Sequence, residues 1–307
     1  MADGTSLKKA SKSELFSWGA NSYGQLCCGH KNDVSFPENV GASCHLKNSV
    51  VAAIDGGGGH TAIITGYYFT YEEVISTAAG LRHSLVALAN GSVWSWGANK
   101  KGQLGIGKTG GNCSTPQQVL FSDGQQIIEV VAGAYHSAVL TSHVFCWGSN
   151  QHGQCGKPPD IHSTEHQIFI KPQLIGGLLT SVTVTQVHTG WSHLLAVTED
   201  IKVFSWGRAD YGQLGLGDDV VQLGFSSEPA EIVHVRGANQ VLCGAEHNMA
   251  LLDSGSVMTW GWNEHGICGS EDETRNVHQP SVVSKLHDYI ASLIGCGGGQ
   301  SFAVVKG

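Results

Sequence analysis

Five near-copies of one phrase constrain this chain more than anything else in it. SWGANSYGQL starts at Ser17, SWGANKKGQLGIG at Ser95, CWGSNQHGQCG at Cys146, SWGRADYGQLGLG at Ser205 and TWGWNEHGICG at Thr259. Their tryptophans are Trp18, Trp96, Trp147, Trp206 and Trp260. A second phrase, Gly-x-x-His, alternates with the first and ends at His60, His83, His136, His193 and His247, while a last copy, GGGQ, ends at Gln300. From His83 onward successive copies end 53, 57, 54 and 53 residues apart, the last interval running from His247 to Gln300. That period suits one four-stranded propeller blade and is too long for coiled coils or helical repeats.

Inside a repeat the pattern is extended. HSLVALANGSVWSWG brackets Asn90-Gly91 with apolar residues, which predicts a hairpin closed by a type I′ turn. HLLAVTEDIKVFSWG and HNMALLDSGSVMTWG have the same shape. Each unit therefore runs from Gly-x-x-His to Trp-Gly as a hairpin, then through a glycine-rich turn to a further strand such as PQQVL. The five repeat tryptophans are expected to fill the space between neighbouring blades, since one indole buries about 150–250 Å².

Composition agrees with tight turns and sheets. The chain has 307 residues, 42 of them glycine, about twice average usage, and only 14% charged. Net charge is −8, with one small lysine cluster at Lys8, Lys9 and Lys12, which argues against a nucleic-acid surface. No apolar run reaches the ~18 residues of a membrane span, and MADGTSLKKASKSELF lacks the apolar core of a signal peptide. Nine cysteines without a CxxC pair point the same way, to the cytoplasm or nucleus.

Gly102 to Thr109, GQLGIGKT, satisfies the phosphate-loop pattern G-x-x-x-x-G-K-[ST]. It is read instead as the tail of a repeat. The same GQLGxG recurs at Gly212 with Asp218 in place of the lysine, and GGNCSTP follows Thr109 where a helix should start.

The repeated histidines do not suggest a metal. His60, His83, His136, His193 and His247 occupy equivalent places in different units, and ligands to one ion must converge within about 2.0–2.3 Å of it. They are read as structural, hydrogen-bonded so as to join adjacent strands. Cys155 and Cys268 fill the leucine slot of GQL and read as small core residues. Cys27-Cys28 is taken to replace Leu-Gly and is a weak redox hint. No cofactor, no metal and no covalent catalysis are expected.

The alternation of WGxNxxGQLGxG with AGxxHS resembles the repeats of the regulator of chromosome condensation family, over nearly the whole chain. The resemblance implies a seven-bladed β-propeller and a link, in one branch, to guanine nucleotide exchange on small GTPases and to secretion. The chain departs from the pattern between His60 and His83, only 23 residues apart, where TGYYFTYEEVIST holds no Trp-Gly. Two repeats are read as missing near Gly66. The expectation is an all-β propeller of about five full blades plus a remnant. Residues 1–13 are expected to form a disordered tail, and 14–307 one domain with a disrupted blade near 54–77. The C-terminal GCGGGQSFAVV and the N-terminal ELFSWGANSYGQL are expected to share a blade.

A propeller repeats its frame and varies its loops, so function is sought in the variable residues of Gly-x-x-His. Arg82, Tyr135, Trp191, Ser192 and Glu246 are the candidate partner-binding residues, a mixture of aromatic and charged groups typical of interface hot spots. The segment 157–173 is a second candidate surface. The partner is expected to be a protein, a small GTPase or a secretion component, and the alternative is a scaffold without exchange activity.

Overall fold

The computed structural model describes residues 14–19, 21–40, 51–65, 68–69, 72–121, 126–160, 162, 167–270, 272 and 274–306. The expected N-terminal tail lies outside them, as does the tip of the 157–173 segment. The chain is built of antiparallel sheets taken up in sequence order. β1 (Phe16–Gly19) pairs with β2 (Val34–Asn39), and β3 (Val51–Gly56) with β4 (Thr61–Thr65). The short β5 (Tyr68–Phe69) edges a sheet of β6 (Glu72–Ala79), β7 (His83–Leu88), β8 (Val93–Gly97) and β9 (Cys113–Val119). Three four-stranded sheets follow. They are β10 (Glu129–Ala132), β11 (His136–Leu140), β12 (Val144–Ser149) and β13 (Ile168–Leu174); β14 (Val184–Thr189), β15 (His193–Thr198), β16 (Val203–Arg208) and β17 (Phe225–Glu231); and β18 (Ala238–Cys243), β19 (His247–Leu252), β20 (Val257–Gly261) and β21 (Val277–Val282). The hairpin of β22 (Ile290–Cys296) and β23 (Ser301–Lys306) ends the chain.

Every four-stranded blade uses one register. The histidine of the second strand faces the glycine of Trp-Gly in the third: His83 opposite Gly97, His136 opposite Gly148, His193 opposite Gly207, His247 opposite Gly261. Pairing of the third strand with the fourth then slips at the tryptophan. This bulge needs a residue with φ near +105°, and Gly97, Gly148, Gly207 and Gly261 supply it.

The hairpin between β7 and β8 differs in one respect from its sequence reading. Gly91 takes φ +83° while Asn90 does not cross to positive φ, and Leu88 accepts from Gly91 N and donates to Ser92 O. This is a type I turn followed by a left-handed residue, not type I′. Gly255 repeats it, and Ile201 takes the same conformation at φ +56° despite its branched Cβ.

Blades join through one recurring network. His83 Nε2 lies 2.8 Å from Ser137 Oγ, Ser137 Oγ donates to Gln103 O at 2.8 Å, and Trp147 Nε1 donates to the same carbonyl at 2.9 Å. Because the serine hydrogen is committed to Gln103, the imidazole must be the donor, with Nδ1 bare. His193 Nε2 meets Asn248 Oδ1 at 2.7 Å, Asn248 Nδ2 donates to Gln213 O at 2.8 Å, and Trp260 Nε1 donates there too. Between these two seams Trp206 Nε1 donates to Gln154 O, and His136 bonds Thr189 Oγ1. His60 reaches Ser84, and His247 reaches Ser301. The five histidines thus bond across to the next sheet, and not between adjacent strands of one sheet.

The tryptophans divide. Trp147, Trp206 and Trp260 are fully buried, Trp96 is half-buried and Trp18 is 59% exposed. Each buried indole packs on the GQ loop of the blade before it. Trp96 follows β3–β4, which among the described residues is a two-stranded sheet, and its cover is incomplete. Trp18 belongs to β1, and the expectation of a shared terminal blade fails here: β1–β2 and β22–β23 are separate two-stranded sheets. Four sheets of at least four strands are therefore present among the described residues, where five full blades were expected. Phe16, Phe302 and Val304 stand exposed on the two unjoined hairpins.

Cys27 fits this gap. It takes φ +57° where other copies place Gly105 and Gly215, so it replaces that glycine and not the leucine. A Cβ at Gly105 would lie 2.5 Å from the Trp147 ring. Cysteine is tolerated at position 27 because the next unit, β3–β4, brings no tryptophan.

Three outcomes follow from this frame. Burial pushes His83 and His136 down to about 3 and His193 and His247 to about 4. The unfolded chain therefore takes up protons first, and stability fully present above pH ~6.5 is lost as pH falls toward 4, by ~1.4 kcal/mol per pH unit per histidine. Half-buried Asp55 and Glu129 and buried Glu246, all raised by desolvation, oppose this at the acid end. Urea midpoints between pH 7 and 5 read the slope, and His136→Gln should flatten it. Ile201→Gly should gain about 1 kcal/mol by relieving the left-handed branched residue. Gly105→Cys should cost about 3 kcal/mol, from φ strain and the clash with Trp147.

Candidate functional site

The turns of Gly-x-x-His gather around one cavity. Residues of β3, β6, β10, β14, β18 and β22, with the turns that follow them, line a space of about 790 Å³. The first glycine of each turn cannot carry a side chain. A Cβ at Gly80 would lie 2.4 Å from the His83 ring and 2.6 Å from Gly133 O, and Gly133, Gly190 and Gly244 repeat the crowding. That contact lets successive turns bond through their backbones: Gly58 N to Gly80 O, Leu81 N to Gly133 O, Ala134 N to Trp191 O, Trp191 N to Ala245 O, Ala245 N to Gly298 O.

The cavity wall is a ring of strand edges, and side chains cap them. Glu129 accepts from Val187 N at 3.0 Å, Ser76 from Val130 N and Gln240 from Ile294 N. Each lies on one inner strand and reaches the next, which satisfies N–H groups that a bare edge would leave unpaired. Burial raises the Glu129 carboxyl. Sequence reasoning missed these residues because nothing in the repeat phrases marks them; they sit four residues before each turn glycine, and the residue type changes from copy to copy.

The rim above the cavity holds the residues read as partner-binding. Arg82 is exposed, Tyr135 is 46% and Trp191 50% exposed, and Ser192 is half-buried. Glu246 does not stand on the surface. It is 5% exposed, accepts from Arg208 Nη1 at 3.2 Å and Gln213 Nε2 at 2.7 Å, and desolvation lifts its carboxyl while Arg208 pulls it back. A glutamate held this way fixes the rim from beneath.

A second ring of residues was overlooked. The residue after each Trp-Gly donates its N–H to the residue before the histidine: Ala98 to Arg82, Ser149 to Tyr135, Arg208 to Ser192, Trp262 to Glu246. The two phrases, some dozen residues apart along the chain, thus form one surface. Arg208 lies 4.5 Å over the Tyr211 ring, with Nη2 on Asp210 at 2.8 Å, and Tyr211 and Trp262 are 6.4 Å apart. Trp191, Tyr211 and Trp262 bring aromatic surface to these turns, with the Arg208 guanidinium held between Asp210 and Glu246. The signal was present in the sequence: WGRAD and WGWNE carry the bulkiest residues in a slot that elsewhere holds alanine or serine.

The His–Ser pairs look like nucleophile and base, but Ser137 is fully buried, its hydrogen is spent on a carbonyl and His83 Nδ1 has no orienting partner. Nor does Gly102–Thr109 cradle phosphate. Leu104 N bonds Asn99 Oδ1, Gly105 N bonds Gly102 O, Gly107 N bonds Ile170 O, and the chain runs on into β9 without a helix. No helix among the described residues is long and apolar enough to cross a membrane.

Comparison with known proteins agrees with the geometry. The RCC1-like domain family matches residues 68–303, and the regulator of chromosome condensation (RCC1) repeat matches 12–64. The secretion-regulating guanine nucleotide exchange factor of Bos taurus is 31% identical over 397 residues, covering 95% of this chain and 83% of that protein. Since 95% of 307 residues is about 292, some 105 aligned positions of the relative face nothing here, the length of two repeats. Human WBSCR16 superimposes with a TM-score of 0.76 at 21% identity, covering 95% of this chain and 86% of the other. Prp20p of Saccharomyces cerevisiae, described with its binding properties to Gsp1p and histones, gives 0.75 at 20%, covering 96% and 78%. The chain belongs to the RCC1-like propeller family and is related to its guanine nucleotide exchange factors.

Proposed function

We propose that the rim built from the Gly-x-x-His and Trp-Gly-x turns docks a small GTPase or a component of the secretion machinery, and that docking regulates that partner. The observation that carries this reading is the pair of half-exposed aromatics, Tyr135 and Trp191, on neighbouring turns joined by backbone hydrogen bonds. Side chains of this kind on a rigid surface bind without a large ordering cost. The relative named for secretion-regulating exchange, and the binding of Gsp1p studied for Prp20p, support the GTPase class.

Exchange would require no bond to be made or broken by the protein. A platform that binds the nucleotide-free GTPase more tightly than the loaded one accelerates release by that difference in affinity. The second reading is a scaffold that holds its partner without favouring either state. The reduced number of blades and the unjoined terminal hairpins favour it, because they leave less surface for discriminating between two states of one partner.

Release of fluorescent GDP from a panel of small GTPases separates the two. Exchange predicts accelerated release from one of them, lost in Trp191→Ala and Tyr135→Ala. Each truncation should weaken binding by about 2 kcal/mol, or ~30-fold. Binding of the same partner without acceleration would establish the scaffold, and binding indifferent to both truncations would remove the rim from consideration.

A further inference from the structure

We propose that the N-terminal hairpin carries a transition-metal site, suited to zinc, made by Cys28, His30 and Glu38. One donor atom from each lies within 4.8 Å of the others. His30 Nε2 and Glu38 Oε2 are 3.8 Å apart, too far for a hydrogen bond and close to the separation of two ligands that share an ion at about 2.0–2.2 Å from each. The exposed side chains of His30 and Glu38 can turn to bring the thiol into the same sphere, a closure of about 1 Å at most from the 4.8 Å limit.

The backbone holds these donors in place. Asn21, fully buried, donates to His30 O at 2.8 Å and accepts from Leu26 N at 3.0 Å, so the loop is clamped on both sides of Cys28. Ser17 donates to Leu26 O at 2.7 Å and lies 3.6 Å from Cys28 Sγ. The β1–β2 ladder pairs Ser17 with Glu38. One serine therefore sets the loop donors against the strand donor.

One thiolate, one imidazole and one carboxylate form a donor set of borderline softness that zinc accepts, with a fourth position left for water. Binding costs Cys28 its thiol proton, which passes to solvent as the sulfur–metal bond forms. Coordination through Nε2 places the His30 proton on Nδ1 and gives up the 3.2 Å bond from Asn32 N. The expectation of no metal rested on the Gly-x-x-His histidines; His30 is outside that set. The site also meets a structural need, because a lone two-stranded hairpin is marginal in water and β1–β2 lacks its inner strands.

The test is titration of the full, reduced chain with Co²⁺ and then Zn²⁺, in competition with a chromophoric chelator. One site per chain is expected, with a thiolate-to-cobalt charge-transfer band that zinc abolishes. Cys28→Ser should remove the band, His30→Gln and Glu38→Gln should each weaken binding at least tenfold, and Cys27→Ser should leave it unchanged. Zinc should also raise the melting temperature of the natural chain by mass action and not that of Cys28→Ser, with metal-free melting curves confirming that the variants fold. Absence of the band in the natural chain, its survival in Cys28→Ser, or its loss in Cys27→Ser alone would overturn the proposal.

Discussion

The Gln103 carbonyl, and its counterparts at Gln154 and Gln213, is the point on which the architecture turns. Each accepts the indole N–H of the next blade, and two of them also accept a hydroxyl or amide that in turn takes a hydrogen from a histidine of the acceptor's own blade. Every polar group is buried at these seams, where an unmet donor costs about 1–3 kcal/mol. The indole brings the apolar area and the carbonyl fixes its angle. Repeating one such joint stacks the sheets in a constant sense, and that places the Gly-x-x-His turns around a shared cavity.

Where the joint lacks a member, the surroundings show it. Among the described residues the unit ahead of Trp96 is a two-stranded sheet, and Trp96 is half-covered; the strand that bears Trp18 pairs there with β2 alone, and Trp18 faces solvent. Cys27 occupies a left-handed position that a following tryptophan would otherwise forbid. Local sequence and missing structure are thus consistent with each other: the residues beside the break are those that tolerate it.

The frame constrains the rim in turn. Backbone bonds from turn to turn, and from each Trp-Gly-x residue to the turn beside it, leave only side chains free to vary. Variation concentrates in the β14–β17 and β18–β21 sheets, where Arg208, Tyr211 and Trp262 join Trp191. Glu246 shows how residue type alone misleads: a charged residue in a variable slot looks like a contact residue, yet its carboxylate is the anchor for Arg208 and Gln213.

The amino-acid order by itself determined the repeat and the extended hairpins, because each depends on residue type at a fixed spacing. It also marked one variable face. Contacts between distant segments were decided only by the tertiary structure. The edge caps Ser76, Glu129 and Gln240 come from different residue types filling one geometric need, so no motif reports them. The burial of Glu246 depends on Arg208, thirty-eight residues away. The separation of β1–β2 from β22–β23 depends on how many joints stand between them, and a local phrase carries no information about the sum of angles around an axis.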